Sequence, residues 1–157
     1  MANEAVRLKA IPGGSVVTEG FGRVDYADSY AISASTDHSA KQIAEAFFDT
    51  PRWVDSLMWL RDRIVRVFGL KTGKDLSDEN GEKRLFTTIS ETQDEIVMGE
   101  SDRHLDFRVS VMTDRPGGQI TTTTIVHFNN FWGKLYFLPV RPFHKVIVKS
   151  LMKRQIK

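Results

Sequence analysis

The chain has 157 residues, no cysteine, and 22 basic against 20 acidic side chains, a formal net charge of +2. That length fits one domain, residues 1–157, able to bury about 68–70% of its unfolded surface without disulfides or a structural metal. With 41% hydrophobic and 27% charged residues the composition is globular rather than fibrous or disordered. The absence of thiols excludes thiolate catalysis and cysteine-held zinc or iron–sulfur centres. No apolar run approaches the roughly 18 residues of a membrane span. Residues Met1 to Arg7 lack the layout of a signal peptide, so the expected location is cytoplasmic.

The charge is unevenly placed. Lys134 to Lys157 contains seven basic residues and no acidic one, which leaves 15 basic and 20 acidic groups in residues 1–133. An acidic body with a basic end is unlike a nucleic-acid binder whose whole surface is positive, so nucleic acid is not an expected partner.

Residues 1–22, with Pro12-Gly13-Gly14 and Gly20-Phe21-Gly22, predict an irregular lead. Val24 to Ala34 alternates as a strand: Val24, Tyr26, Tyr30 and Ile32 share a face with one polar member, Asp28. Ser39 and Gln42 have capping-box spacing and open a short helix through Phe48, with Ile43 and Phe47 as its buried pair. Thr50-Pro51 opens a second helix, in which Trp53, Leu57, Leu60, Ile64 and Val67 form an apolar stripe and Trp59 falls off it. Gly69 ends that helix, and residues 69–83 read as a long polar loop.

Residues 84–130 predict four antiparallel strands with turns at Thr92-Gln93, Ser101-Asp102 and Arg115 to Gly118. In that register Ile89 faces Ile96, Ile96 faces Phe107, and Met98 faces Leu105. Leu105, Phe107, Val109 and Val111 meet Phe128, Val126, Thr124 and Thr122. One face is then apolar, with Asp28, Tyr26, Tyr30, Glu100, Arg103 and the threonines as its polar members. The other face is polar, with Glu95 across from Arg108, His104 across from Asn129, and Asp106 across from His127. From Phe131 onward the period is helical, with a break or kink expected near Pro139 and Pro142. The whole reads as α+β, with the final helix covering the apolar face of a curved sheet.

Three runs carry a resemblance: Gly99 to Val111, Thr124 to Asn130, and Gly133 to Lys145. They resemble a bacterial family of uncharacterised proteins grouped with the helix-grip domains, the SRPBCC superfamily of START lipid-transfer, birch-pollen-allergen and polyketide-cyclase proteins. The resemblance covers about residues 23–155. It implies a START-like curved antiparallel sheet wrapped around a long C-terminal helix, with two short helices after the first strand and a ligand pocket. It implies no catalytic residues.

The expected ligand is a small, mainly apolar molecule, lipid- or polyketide-like, held between sheet and final helix. Its walls would be Ile89, Ile96, Met98, Leu105, Phe107, Val109, Phe143 and Ile147, with Tyr30, Glu100, Arg103 and His144 as polar contacts. An enzymatic alternative uses Glu100 with His144 as an inward acid–base pair. Asp102, His104, Asp106 and His127 have ligand chemistry but read as a solvated outer face, so no metal or cofactor is expected. Arg141, Lys145, Lys149, Lys153 and Lys157 recur every four residues. Complementing the helix dipole and the acidic body is the first reading of that stripe. An anionic membrane surface is the second, helped by Val148, Met152 and Ile156, which would alternatively seat a second copy as a homodimer. No phosphate-binding, dinucleotide, zinc-protease or serine-hydrolase motif occurs, and Ser150-x-x-Lys153 stands without companions.

Overall fold

The computed structural model describes residues 6–7, 10–34, 37–48, 66, 87–101 and 104–154. The expected second helix, Trp59, the 69–83 loop, Asp102 and Arg103 lie outside the described residues. The described chain is α+β. Six strands form one curved antiparallel sheet: β1 (Val6–Arg7), β2 (Tyr26–Ser33), β3 (Thr87–Glu91), β4 (Glu95–Ser101), β5 (Leu105–Asp114) and β6 (Gln119–Phe128). Their spatial order is β1-β2-β6-β5-β4-β3. Helix α1 (Ala40–Phe48) follows β2, and helix α2 (Phe131–Arg154) follows β6.

Turn chemistry decides how well each register follows from sequence. Arg115-Pro-Gly-Gly118 bridges Asp114 and Gln119, with Gly118 at φ 62°, where a side chain would be strained. Leu105, Phe107, Val109 and Val111 accordingly pair with Phe128, Val126, Thr124 and Thr122 as expected. The β4–β5 hairpin differs, because its turn is longer than the two residues expected. Ile96 lies opposite Val111, not Phe107, and Met98 opposite Val109, not Leu105. The slide is even in number, so every side chain keeps its face. In the β3–β4 pair the register shifts between Thr88 and Ser90. Ile89 falls in that irregularity, 47% exposed, and does not face Ile96.

Same-face residues line up in rows across the sheet. Tyr26, Val126, Phe107 and Glu100 make one row. Asp28, Thr124, Val109 and Met98 make the next, followed by Tyr30, Thr122, Val111 and Ile96. On this inner face α1 brings Ala40, Ile43 and Ala44 into a core with Tyr30, Ile32, Ile96, Met98, Val111 and Ile120, joined by Val148 and Met152 of α2. The α1 cap forms as its spacing predicts: Ser39 N donates to Gln42 Oε1 at 2.9 Å, and Gln42 N to Ser39 Oγ at 3.3 Å.

Helix α2 runs unbroken through Pro139 and Pro142, so the chain does not break there as one of the two expected outcomes required. Each proline deletes one i→i−4 bond, freeing the carbonyls of Leu135 and Leu138. Both residues are exposed, and water can take the bonds the prolines cannot make.

The outer face corrects a second expectation. It is not simply solvated, because the irregular lead folds over it. Val17 is fully buried against Val97 and Ile125, with Ile11, Val16, Phe21, Val24 and Ala27 around them. Two polar side chains fasten this cover. Glu95, buried in the sheet and opposite Met112 rather than Arg108, accepts bonds from Ser15 Oγ, Val16 N (3.1 Å) and Ser110 Oγ (2.6 Å). Arg108 donates to the carbonyls of Val17 and Glu19 and lies over the Phe21 ring.

Asp25 closes one end. Its carboxylate accepts the Phe128 amide at 2.8 Å, and Arg23 and His127 lie 2.8 and 3.0 Å away. The amide bond, reinforced by Arg23 and His127 against a smaller burial effect, holds its pKa below the usual carboxylate value. A lowered folded-state pKa means the ionised group stabilises the fold above pH about 4 and stops doing so as pH falls through the folded value. Asp25→Asn is therefore expected to lower Tm at pH 7, with the gap from the parent closing in acid. A gap that stays constant on acid titration would refute the charge-based account.

Candidate functional site

The inner face carries two apolar clusters that do not merge. One is the α1-side core around Tyr30, Ile96 and Val111. The other gathers Leu105, Val126 and Phe137, with Tyr26, Phe107 and Phe128 against them. Phe137 stacks edge-on to Tyr26 with centroids 4.8 Å apart and tilts over Phe128 at 5.6 Å. Between the clusters lies the row of Asp28, Thr124 and Val109, polar at its β2 and β6 members.

Asp28 stands at the β2 end of that row and is only 3% exposed. Tyr26 Oη donates to Asp28 Oδ2 at 2.6 Å. Burial, then the adjacent Asp28 carboxylate, raise the Tyr26 pKa well above the usual phenol value, so this hydroxyl remains a donor. His144 Nε2 reaches to 3.4 Å from the same Asp28 oxygen. The hydroxyls of Thr122 and Thr124 are buried on this face and make no hydrogen bond among the described residues. Buried hydroxyls normally find partners, and leaving one unsatisfied costs about 1–3 kcal/mol.

Helix α2 runs alongside β2 here. Arg141 lies over the Tyr26 ring at 5.2 Å, His144 meets Asp28, and Lys149 Nζ lies 5.6 Å over Tyr30. Eight helical residues rise about 12 Å, and four strand residues about 13 Å. Successive turns of the helix therefore meet alternate residues of the strand. Two members of the basic stripe thus turn toward tyrosines, which the charge spacing alone did not foretell.

Most of the expected site residues share this face. Tyr30, Ile96, Met98 and Leu105 are buried on it, and Phe107 and Val109 are half-buried. His144 faces it through Asp28. The side chains of Phe143 and Ile147, and all of Arg103, lie outside the described residues. Glu100 goes elsewhere: its Oε1 accepts the Thr87 amide and hydroxyl at 3.0 and 2.6 Å, tying down the edge strand β3. β4 is three strand spacings from β2, about 14 Å, so Glu100 and His144 are not brought together. Phe137 is not among the expected residues yet joins this face, sitting seven residues before His144 and so sharing its helix face.

The outer-face histidines and acids are separately engaged. His104 Nδ1 lies 2.9 Å from the Asn130 amide nitrogen, Asp106 accepts from Asn129, and His127 faces Asp25. No group of three or more ligating side chains occurs among the described residues.

Fold and site together define an α+β protein whose apolar inner face is interrupted by a buried Asp–His–Tyr contact. The chain belongs to the family described as protein of unknown function (DUF2867), whose model matches residues 21–151. That span holds Tyr26, Asp28, Thr122, Thr124 and His144. Comparison with curated proteins and with solved structures finds no match.

Proposed function

We propose that this protein binds a small, mainly apolar ligand between the inner sheet face and α2, in the manner of a helix-grip domain of the START and polyketide-cyclase superfamily. The supporting observation is the Asp28–Thr124 pair between two apolar clusters, with the hydroxyls of Thr122 and Thr124, unbonded among the described residues, beside the Asp28–His144 contact. The clusters supply apolar area, about 25 cal/mol per Å² of ligand surface buried. The row supplies the few polar contacts that fix orientation, with the threonine hydroxyls and the His144 ring offered to a carbonyl or hydroxyl.

Native mass spectrometry of gently purified protein tests the reading. A small molecule is expected to co-purify and to be lost from Val109→Trp, whose indole fills the row, while circular dichroism is unchanged. If no molecule co-purifies, and an environment-sensitive apolar dye binds parent and V109W alike, the site reading fails.

A second reading is supported by the same contact. An imidazole held by a buried carboxylate is the arrangement of a general base, with Asp28 orienting His144 and Tyr26 positioning Asp28. It predicts turnover of the co-purified molecule that His144→Gln abolishes without loss of binding. Release of that molecule chemically unaltered after long incubation would count against it.

A further inference from the structure

Helix α2 has a second apolar face that lies exposed and joins none of the apolar clusters among the described residues. Phe131 is 68% exposed, Trp132 53%, Leu138 60% and Val146 53%, and Leu135 also lies open. At about 100° per residue, Phe131, Leu135, Leu138, Pro142 and Val146 fall within an arc of about 80°, with Trp132 at its margin. Phe137, His144, Val148 and Met152 occupy the side turned to the sheet. Phe131 and Trp132 meet edge-on at 6.2 Å, and both are exposed. The stripe runs about 22 Å along the helix. Val148 and Met152, which the sequence offered as apolar companions of the basic stripe, are buried in the core. The available companions lie about 100° around the helix and toward the N-terminus of α2.

Lys134 and Lys145 flank this stripe along one side, and no acidic residue follows Asp114 anywhere in the chain. We infer that the outward face of α2 docks on an anionic lipid surface, lying in its plane with the aromatic pair and leucines in the headgroup–acyl boundary and the flanking cations on lipid phosphates. An exposed apolar stripe edged by lysines is the composition of an interfacial helix. No described helix is apolar and long enough to cross a membrane, so α2 would lie on the surface and not span it. A second copy fits less well, because apposing two such helices would bring cation against cation with no acid to separate them. A nucleic acid fits less well because Leu135, Leu138 and Val146 have no ring face on which a base could stack. The inference is independent of the ligand site.

Co-sedimentation of the full chain tests it, with phosphatidylcholine vesicles with or without phosphatidylserine. Binding is expected only with phosphatidylserine and should weaken as salt is raised. Lys134→Gln and Lys145→Gln should each weaken it about fivefold. Phe131→Ser with Leu138→Ser should weaken it at least about tenfold, since burying either side chain contributes that much. Phe131, Lys134 and Leu138 are exposed and Lys145 is half-buried, and unchanged circular dichroism confirms intact folding. Equal binding to both vesicle types overturns the inference, as does no binding to either. So does a concentration-dependent dimer that F131S/L138S abolishes, or RNA binding without vesicle binding.

Discussion

Replacing Glu95 with alanine is expected to destabilise the protein by about 2–4 kcal/mol and to release the segment from Ile11 to Val24 from the outer face of the sheet. The carboxylate is buried and receives three donors, two of them from the covering segment and one from Ser110. Alanine would leave the Ser15 and Ser110 hydroxyls and the Val16 amide without their acceptor, and those bonds to a charged group are the strongest kind available there. Val17, Val97 and Ile125 would then lose the cover that keeps them dry. Limited proteolysis reads the outcome: cleavage between residues 11 and 24 should appear in E95A under conditions where the parent is resistant. Glu95→Gln should fall between, since its amide oxygen still accepts. If E95A unfolds with the parent's midpoint and resists cleavage equally, the clamp is not what holds the segment.

Gly133→Ala is the second large effect. Helix propensity alone favours alanine by about 1 kcal/mol, so the sign is decided by space. A Cβ at Gly133 would overlap the carbonyl oxygen of His104 and crowd Leu105. That same carbonyl accepts the Asn129 amide at 2.9 Å, and Asn130 caps α2 by accepting the Gly133 amide at 3.1 Å. The first turn of the helix is thus pressed against backbone, which has no rotamer with which to yield. A net loss of about 1–3 kcal/mol is expected, or roughly 3–10 °C in Tm. Gly13→Ala is the control, since nothing lies near its would-be Cβ, and it should melt within about 0.5 kcal/mol of the parent. A G133A protein as stable as G13A would show that the helix start can shift outward at no cost.

The parts of the site that could be read from sequence are those governed by a period of two. Tyr26, Asp28, Tyr30 and Ile32 alternate along one strand, and the inner position of Asp28 follows from that alone. The β5–β6 register was equally readable, because Arg115-Pro-Gly-Gly118 fixes where the chain reverses. The β4–β5 register was not, because nothing in Ser101 to Leu105 sets a turn length, and an even slide leaves the alternation intact. The clamp of Glu95 and Arg108 on the lead segment was invisible for a different reason. Val16, Val17 and Phe21 follow no period, and the glycines around them, at φ 88°, 68° and 87° for Gly14, Gly20 and Gly22, read only as turns. The partner of His144 was half readable. Its helix face pointed to the pocket, but which carboxylate it would meet depended on α2 lying along β2 instead of over Glu100.

The place of β2 in the sheet also sets the order in which the site can come into being. β4, β5 and β6 are joined by short turns and can pair early through contacts close in sequence. β2 must find β6 across a separation of some ninety residues, so its docking carries the larger loop-closure entropy. Tyr26, Asp28 and Tyr30 all arrive on that strand. A nascent chain or folding intermediate would therefore hold Thr122, Thr124 and Val109 in a finished meander while still lacking the carboxylate that His144 meets. Ligand recognition, on this topology, is a property only of the completed fold and would report on the last long-range pairing.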